Sequence, residues 1–232
     1  MNRESLEYQT MKTKNKNKMI RREFMMVGRY KIPVIMKQDI NLDCVDLMCY
    51  TKAKVGDIEN TFKTMHFFTY DWLYDVVYDK ADTVIEKLGQ YYALLSPDFG
   101  LYSEMSPALQ IYNTFRSRWC GAYWQSLGLR VIPTVEWADE QSYDFCFDGV
   151  EQGSVVAVAT YHRHNKKLFM KGYNKMLEVL KPSAIICYGD PFPEMKGNIK
   201  VISPYNVNEV ISKIGVEKYI QKRLDGELYP DN

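Results

Sequence analysis

The sequence predicts an α/β protein with a mainly parallel sheet built from βαβ units. From residue 62 onward, short apolar runs alternate with segments of helical periodicity. Two of the runs, SVVAVATY (154–161) and AIICYG (184–189), are apolar on both faces, which is typical of parallel strands covered by helices. Repeated alternation of this kind implies right-handed crossovers between parallel strands. Either an open three-layer sheet or an incomplete TIM-barrel-like curl satisfies this pattern.

The remaining elements follow in chain order. Strands are predicted at 30–36, 65–70, 91–96, 130–137 and 200–205, and Pro33 places the first of them at a sheet edge. Helices are predicted at 71–89, 106–126, 168–181 and 206–214. Gly89 ends the first helix, Ser106 and Pro107 start the second, and Pro182 stops the third. On the second helix, the aromatic residues Tyr112, Trp119, Tyr123 and Trp124 are predicted to pack in the core rather than to form a base-stacking platform.

Charge is distributed unevenly along the 232 residues. The formal net charge is +1, but residues 1–31 hold nine Lys and Arg against three Asp and Glu, a local +6 that leaves −5 for the rest. We predict a flexible basic arm at residues 1–22 and a single α/β domain at residues 23–232. An acidic body argues against a dedicated nucleic-acid surface, although the arm could contact phosphates.

Cysteine usage and hydropathy indicate the compartment. The five cysteines are scattered, without a CxxC pair or zinc spacing, and predict reduced thiols in a cytosolic protein. No stretch approaches the roughly 20 apolar residues that span a bilayer, so no membrane partner is expected.

The segment ALLSPDFGLY (93–102) indicates a site. Pro97 has no backbone N–H and cannot extend a strand ladder, so the chain leaves the sheet there. Ligands of parallel α/β sheets bind beyond the carboxyl ends of the strands. Asp98 is therefore predicted at the ligand-binding edge as a general acid or base, with a local turn or cap acceptor as the structural alternative.

Other strand ends bring acids and aromatics to the same edge. Glu136 and Asp139 are predicted either as acid/base partners of Asp98 or, with Asp190, as ligands of a divalent metal; surface ion pairs are the alternative. The helix after SPDF supplies Arg116 and Arg118 as counter-charges. The predicted substrate-binding residues are Arg116, Trp137, Thr160, His162, Tyr188 and Asp190.

Recognised cofactor motifs are absent. His162 and His164 lie among Arg and Lys in TYHRHNKK, so a phosphate-contacting or solvated loop is favoured over a zinc site. The sequence contains no GxGxxG, GxxxxGK[ST], GxSxG or HExxH. No cofactor is therefore predicted, apart from the divalent metal considered above.

The stretch from SPDFGLY through FCFDG to SVVAVATY and IICYGD resembles an uncharacterised family, domain of unknown function 4417, found in phages, conjugative elements and bacteria. The resemblance covers roughly residues 60–205. It implies a mobile-element protein with one α/β domain, in the cytoplasm of a bacterial host cell, and transfers no catalytic role. Relatives tend to have a glycine-containing turn where this chain has TYHRHNKK.

Three functions are consistent with these residues. The leading hypothesis is a cytosolic enzyme acting on a nucleotide, nucleoside or related small molecule, with Asp98 and Glu136 or Asp139 as acid/base groups and Arg116 holding an anionic part. The first alternative is a non-catalytic protein that sequesters a host protein or signal nucleotide. The second is an accessory protein that binds nucleic acid through residues 12–22 and 162–167.

Overall fold

The computed structural model describes residue 21, residues 24–160, residues 165–204 and residues 215–225. The predicted basic arm, except Arg21, and the predicted helix at 206–214 lie outside these residues. Arg21 donates a hydrogen bond to the Tyr78 carbonyl at 2.7 Å, and its guanidinium lies 3.9 Å from the centre of the Tyr78 ring. This end of the predicted arm therefore contacts the body of the protein.

A small antiparallel pair precedes the main sheet. Strand β1 (Met26–Val27) pairs with β2 (Ile32–Pro33), which confirms Pro33 in an edge position. Just after β2, Ile35 bridges to Val150. Gly149, at the end of FCFDG, has φ +75°, and a Cβ there would lie 2.2 Å from the Pro33 carbonyl oxygen. Only glycine fits this approach of the two segments.

Seven parallel strands form a four-stranded and a three-stranded sheet and confirm the predicted class. They are β3 (Leu47–Cys49), β4 (Thr64–His66), β5 (Ala93–Leu95), β6 (Val131–Ile132), β7 (Val155–Ala159), β8 (Ala184–Tyr188) and β9 (Ile199–Ile202). Strands β3 to β6 pair in sequential order, as do β7 to β9. A parallel bridge between Thr134 and Ala157 links the two groups.

The sheet curls upon itself. In strand order β4 and β8 are four places apart, yet the rings of His66 and Tyr188 lie 4.7 Å apart. Phe68, just after β4, also stacks on Tyr188 at 4.9 Å. The inner face is filled by one apolar cluster from β5 to β8, which includes Ala93, Leu95, Ile132, Val155, Ala157, Ala184 and Ile186. These contacts match the barrel-like alternative rather than a flat sheet.

The segment between β4 and β5 differs from its prediction. The expected continuous helix at 71–89 is broken into 3₁₀ turns at Asp71–Leu73 and Ala81–Val84 and the short helices α1 (Val76–Asp79) and α2 (Ile85–Leu88). Lys80 leaves the helical conformation with φ −131° and ψ 50°. The break lets Ala81 and Val84 reach the core together with Val77 and Tyr78 of α1.

The longest helix, α3 (Pro107–Ser126), covers the sheet between β5 and β6. Pro107 is its first residue as predicted, but Ser106 makes no side-chain capping bond. Gly128, with φ +83°, follows its end and donates to the Gln125 carbonyl at 2.9 Å. Trp119, Tyr123 and Trp124 are buried, which confirms their core prediction. That prediction is wrong for Tyr112, which stays 46% exposed because it lies on the outer side of the helix.

Helix α4 (Lys166–Leu180) follows β7 and is capped by Asn165, whose side chain accepts from the Leu168 N–H at 3.0 Å. It packs on Trp137 through Gly172. A further helix, α5 (Val216–Asp225), follows β9. All five cysteines are free thiols, and three of them are buried.

Candidate functional site

The SPDF segment leaves the sheet at the carboxyl end of β5, as predicted. Ser96 still belongs to the sheet: its N–H donates to the Ile132 carbonyl, and its carbonyl accepts from the Thr134 hydroxyl at 2.7 Å. Pro97 then turns the chain away. Asp98 follows as a half-buried residue at the edge where the prediction placed it.

Asp98 and Glu136 line one small cavity of about 10 Å³, together with Asn113, Arg118 and Cys146. This volume is close to that of one water probe. Glu136 also accepts a hydrogen bond from the Leu101 N–H at 3.2 Å. The structure thus brings together two of the three predicted acid/base residues, from the ends of neighbouring strands.

Arg118 supplies a fixed charge beside them. Its guanidinium is buried and donates to the carbonyls of Thr134 (2.8 Å), Cys146 (3.0 Å) and Asp148 (3.1 Å). Burial lowers the pKa of Arg118 to about 10, opposed by the nearby Cys146, Asp148 and Asp98. Arg118 therefore remains protonated at neutral pH and favours an ionised carboxylate in the cavity.

A second set of bonds ties SPDFG to the segment after β4. The Tyr74 hydroxyl oxygen lies 2.6 Å from the Asp98 carbonyl oxygen and 3.0 Å from an Asp71 carboxylate oxygen, so its single proton is shared between these two acceptors. The Asp71 carboxylate also accepts from the Gly100 N–H at 3.1 Å. Burial, and then the charges of Asp98 and Asp71, raise the pKa of Tyr74 far above its ordinary value. Tyr74 is thus a hydroxyl donor at every physiological pH.

Arg116 neutralises carboxylates, as the sequence suggested for the arginines of this helix. It lies 2.9 Å from Asp75 and 3.9 Å from Asp71, and its guanidinium stacks 3.7 Å from the centre of the Phe99 ring. It also donates to the Asn113 side chain. Its predicted contact with an anionic ligand stays a prediction.

Two predicted residues lie away from the cavity. Asp139 caps the 3₁₀ turn Glu140–Asp144 by accepting from the Gln141 N–H at 3.0 Å. Trp137 is buried against Phe169 of α4, with ring centres 5.1 Å apart. Neither residue lines the cavity that holds Asp98 and Glu136.

The remaining predicted residues follow β7 and β8. Thr160 is buried, and its N–H donates to the Tyr188 carbonyl at 3.0 Å. Tyr188 is the last residue of β8 and Asp190 is half-buried just beyond it. His162 lies outside the described residues.

A much larger cleft, of about 500 Å³, opens between β3 and β9. The last residues of four strands line it: Cys49, His66, Tyr188 and Ile202. Three lysines, Lys52, Lys54 and Lys63, also line it. Of these residues only Tyr188 was predicted from the sequence. β3 could not be recognised, because its three residues are too few to show periodicity. The pattern Lys-Ala-Lys at 52–54 was the available signal.

His66 is almost fully buried in the wall of this cleft. Its Nδ1 accepts a hydrogen bond from the Phe68 N–H at 3.2 Å. Burial, and then the charge of Lys52, lower the pKa of His66 to about 4. The imidazole is therefore neutral at physiological pH, with its proton on Nε2.

The described part of the chain lacks two further features. It contains no helix long and apolar enough to cross a membrane. Within the same residues, no group of three His, Cys, Asp or Glu side chains is placed to hold a metal ion.

The fold and the polar strand ends define a mainly parallel α/β protein with its candidate site at the carboxyl edge of the sheet. The family model described as "Domain of unknown function (DUF4417)" matches residues 24–206, so the chain belongs to this family. The resemblance inferred from the sequence is thereby confirmed.

Two phage proteins are similar to this chain. The Gene 1 protein of Mycobacterium phage L5 is 39% identical over 129 residues, which are 54% of this chain and 56% of that protein. The Gene 1 protein of Mycobacterium phage D29 is 37% identical over 129 residues, 54% of this chain and 48% of that protein. The chain thus spans about half the length of these curated relatives. No solved structure matches it.

Proposed function

We propose that the protein is an enzyme acting on a small molecule of the nucleotide or nucleoside class, with Asp98 and Glu136 as its acid/base pair. The observation that carries this proposal is the shared cavity, which is lined by both carboxylates and by the buried Arg118, whose charge interacts with that of Asp98. Thr160, Tyr188, Asp190 and His162 are proposed to contact the ligand at the same edge of the sheet.

Acid/base chemistry needs one ionised carboxylate that can accept a proton, and space beside it for the group that gives up the proton. The charge of Arg118 is held by three backbone carbonyls, so it stabilises an anion without moving. A cavity about the size of one water suits a carboxylate that activates water or a ligand hydroxyl. Asp139 remains the proposed alternative to Glu136 as the partner of Asp98.

Turnover of the common nucleotides and nucleosides, followed by chromatography and mass spectrometry of the products, tests this proposal. We expect Asp98→Asn and Glu136→Gln each to reduce turnover by about 10² to 10⁴, the usual range for a lost acid/base group. Glu86→Gln, at an exposed carboxylate on α2, is the matched control and should retain full activity. Thermal melts of each variant show whether it is folded.

Neutralised carboxylates with unchanged turnover would refute the acid/base assignment. Tight ligand binding without any product, equally strong in Asp98→Asn, would support the sequestering alternative instead. The two outcomes are separated by measuring binding and product formation on the same samples.

A further inference from the structure

We infer that the cleft between β3 and β9 is the binding site for the phosphate-bearing part of the ligand, so that the ligand is a nucleotide rather than a nucleoside. The choice of the nucleotide class rests on the proposed function, whereas the anion-binding site stands on the cleft itself. None of Lys52, Lys54 and His66 was among the residues predicted from the sequence.

All charged side chains that line the cleft are positive. The lining residues include three lysines and no Asp or Glu. Lys63 is paired with Asp46. Within the described residues, Lys52 and Lys54 form no ion pair, although Asp57 lies close enough to Lys54 to sense its charge. Lys52 and Lys54 are therefore available to bind an anion, in a protein whose residues 32–232 carry a net negative charge.

The size and position of the cleft suit a nucleotide. Its volume of about 500 Å³ lies within the usual range of small-molecule sites, roughly 300–1,000 Å³. It opens at the carboxyl ends of β3, β4, β8 and β9, where parallel α/β sheets bind their ligands. The cavity at Asp98 is too small, at about 10 Å³, to hold more than the reacting part of such a molecule.

The cleft also has a rigid aromatic wall. Tyr188 stacks on Phe68 with an interplanar angle of 17° and contacts the His66 ring, so three rings from β4 and β8 support one another. Met48 and Ile202 add apolar surface beside them. A wall of this kind accepts the flat face of a base, while the lysines hold the phosphate.

His66 adds a directional donor. Since its Nδ1 accepts from the Phe68 N–H, its proton lies on Nε2. Arg116, the residue predicted to hold the anion, is already engaged by Asp75 and Asp71. The phosphate therefore requires other partners, and Lys52, Lys54 and His66 supply two charges and one neutral donor.

Isothermal titration calorimetry on the full chain at low salt tests this inference. The probes are inorganic phosphate, adenosine and the four ribonucleoside 5′-monophosphates. At least one monophosphate should bind, and at least tenfold more tightly than adenosine. The Lys52→Gln/Lys54→Gln double variant should weaken that binding at least tenfold. The control double variant Lys37→Gln/Lys80→Gln removes the same charge from exposed positions outside the cleft and should bind like the native chain.

Failure of all four monophosphates to bind, or unchanged binding in the Lys52/Lys54 variant, would overturn the inference. Asp98→Asn separates it from the proposed function, because that variant should lose turnover and keep phosphate binding. Binding that depends on the lysines without any turnover would leave the phosphate site standing and refute the enzyme.

Discussion

Two buried nitrogen bases, Arg118 and His66, reach opposite charge states through the same physical effect. Burial lowers the pKa of both, but Arg118 starts from 12.5 and ends at about 10, whereas His66 starts from 6.5 and ends at about 4. Arg118 keeps its charge because three carbonyls solvate it in place of water. His66 has Lys52 beside it and stays neutral.

The neutral state of His66 predicts a specific loss of stability in acid. The unfolded chain binds a proton at His66 near pH 6.5 and the folded protein only near pH 4, so acid favours unfolding. The stability due to neutral His66 is complete above pH 6.5 and is lost as the pH falls towards 4. The lowering of the His66 pKa from 6.5 to about 4 corresponds to roughly 3 kcal/mol of unfolding free energy.

Urea unfolding at pH 7 and pH 4 measures the effect in the native chain and in His66→Gln. The native chain should lose more unfolding free energy than the variant, since glutamine has no proton to gain. Equal losses in the two proteins would show that His66 titrates normally in the folded state.

The positions of Asp98 and Glu136 could be predicted from the sequence, because each follows from the end of one strand; their roles stay predictions. Asp98 follows from Pro97, and Glu136 from the end of the next predicted strand. His66 could not be recognised, because its environment is made by Tyr188, which is distant in the chain and meets it only when the sheet curls. Likewise the pairing of Arg116 with Asp75 depends on the break that places α1 beside α3.

Among the elements, a glycine lets one helix pack closely against a residue that follows a strand. Gly172 of α4 lies against Trp137, which follows β6, and a Cβ at residue 172 would lie 2.2 Å from the indole ring. The rings of Phe169 and Phe147 also pack against the indole, with centres 5.1 Å and 6.3 Å from that of Trp137. The indole therefore cannot shift freely to admit a methyl group.

Gly172→Ala should consequently destabilise the protein, although alanine is the better helix former. Overpacking a buried site costs about 1–3 kcal/mol, against a gain of up to about 1 kcal/mol in helix propensity. Asn174→Ala, at an exposed position of the same helix, gains propensity without the clash and is the control. A urea midpoint for Gly172→Ala at or above the native value would contradict this packing.

The predicted element types were correct where periodicity extends over a full helix or a five-residue strand, as in α3, α4, β7 and β8. Periodicity failed at 71–89, where the apolar spacing fits a helix but tertiary packing turns residues on both sides of Lys80 inward. It also missed β3, since three residues are too few to show alternation.

At the scale of the whole molecule, the sequential order of the parallel strands and their curl bring four strand ends into one cleft. The sequence predicted the parallel class and allowed two shapes for the sheet. Only long-range contacts such as His66 with Tyr188 distinguish them. The cleft, and with it the proposed phosphate site, could not be predicted from local pattern because it lies between β3 and β9, the first and last of the parallel strands.

The central claim is that the ligand binds at the carboxyl edge of this curled sheet. The most direct test is the change in backbone NMR chemical shifts of the full chain on titration with the ribonucleoside 5′-monophosphates. We expect changes concentrated at the cleft and near Asp98, at Cys49, Lys52, Lys54, His66, Asp98, Tyr188 and Ser203. Changes confined to the opposite, amino-terminal ends of the strands, or no changes with any monophosphate, would contradict it.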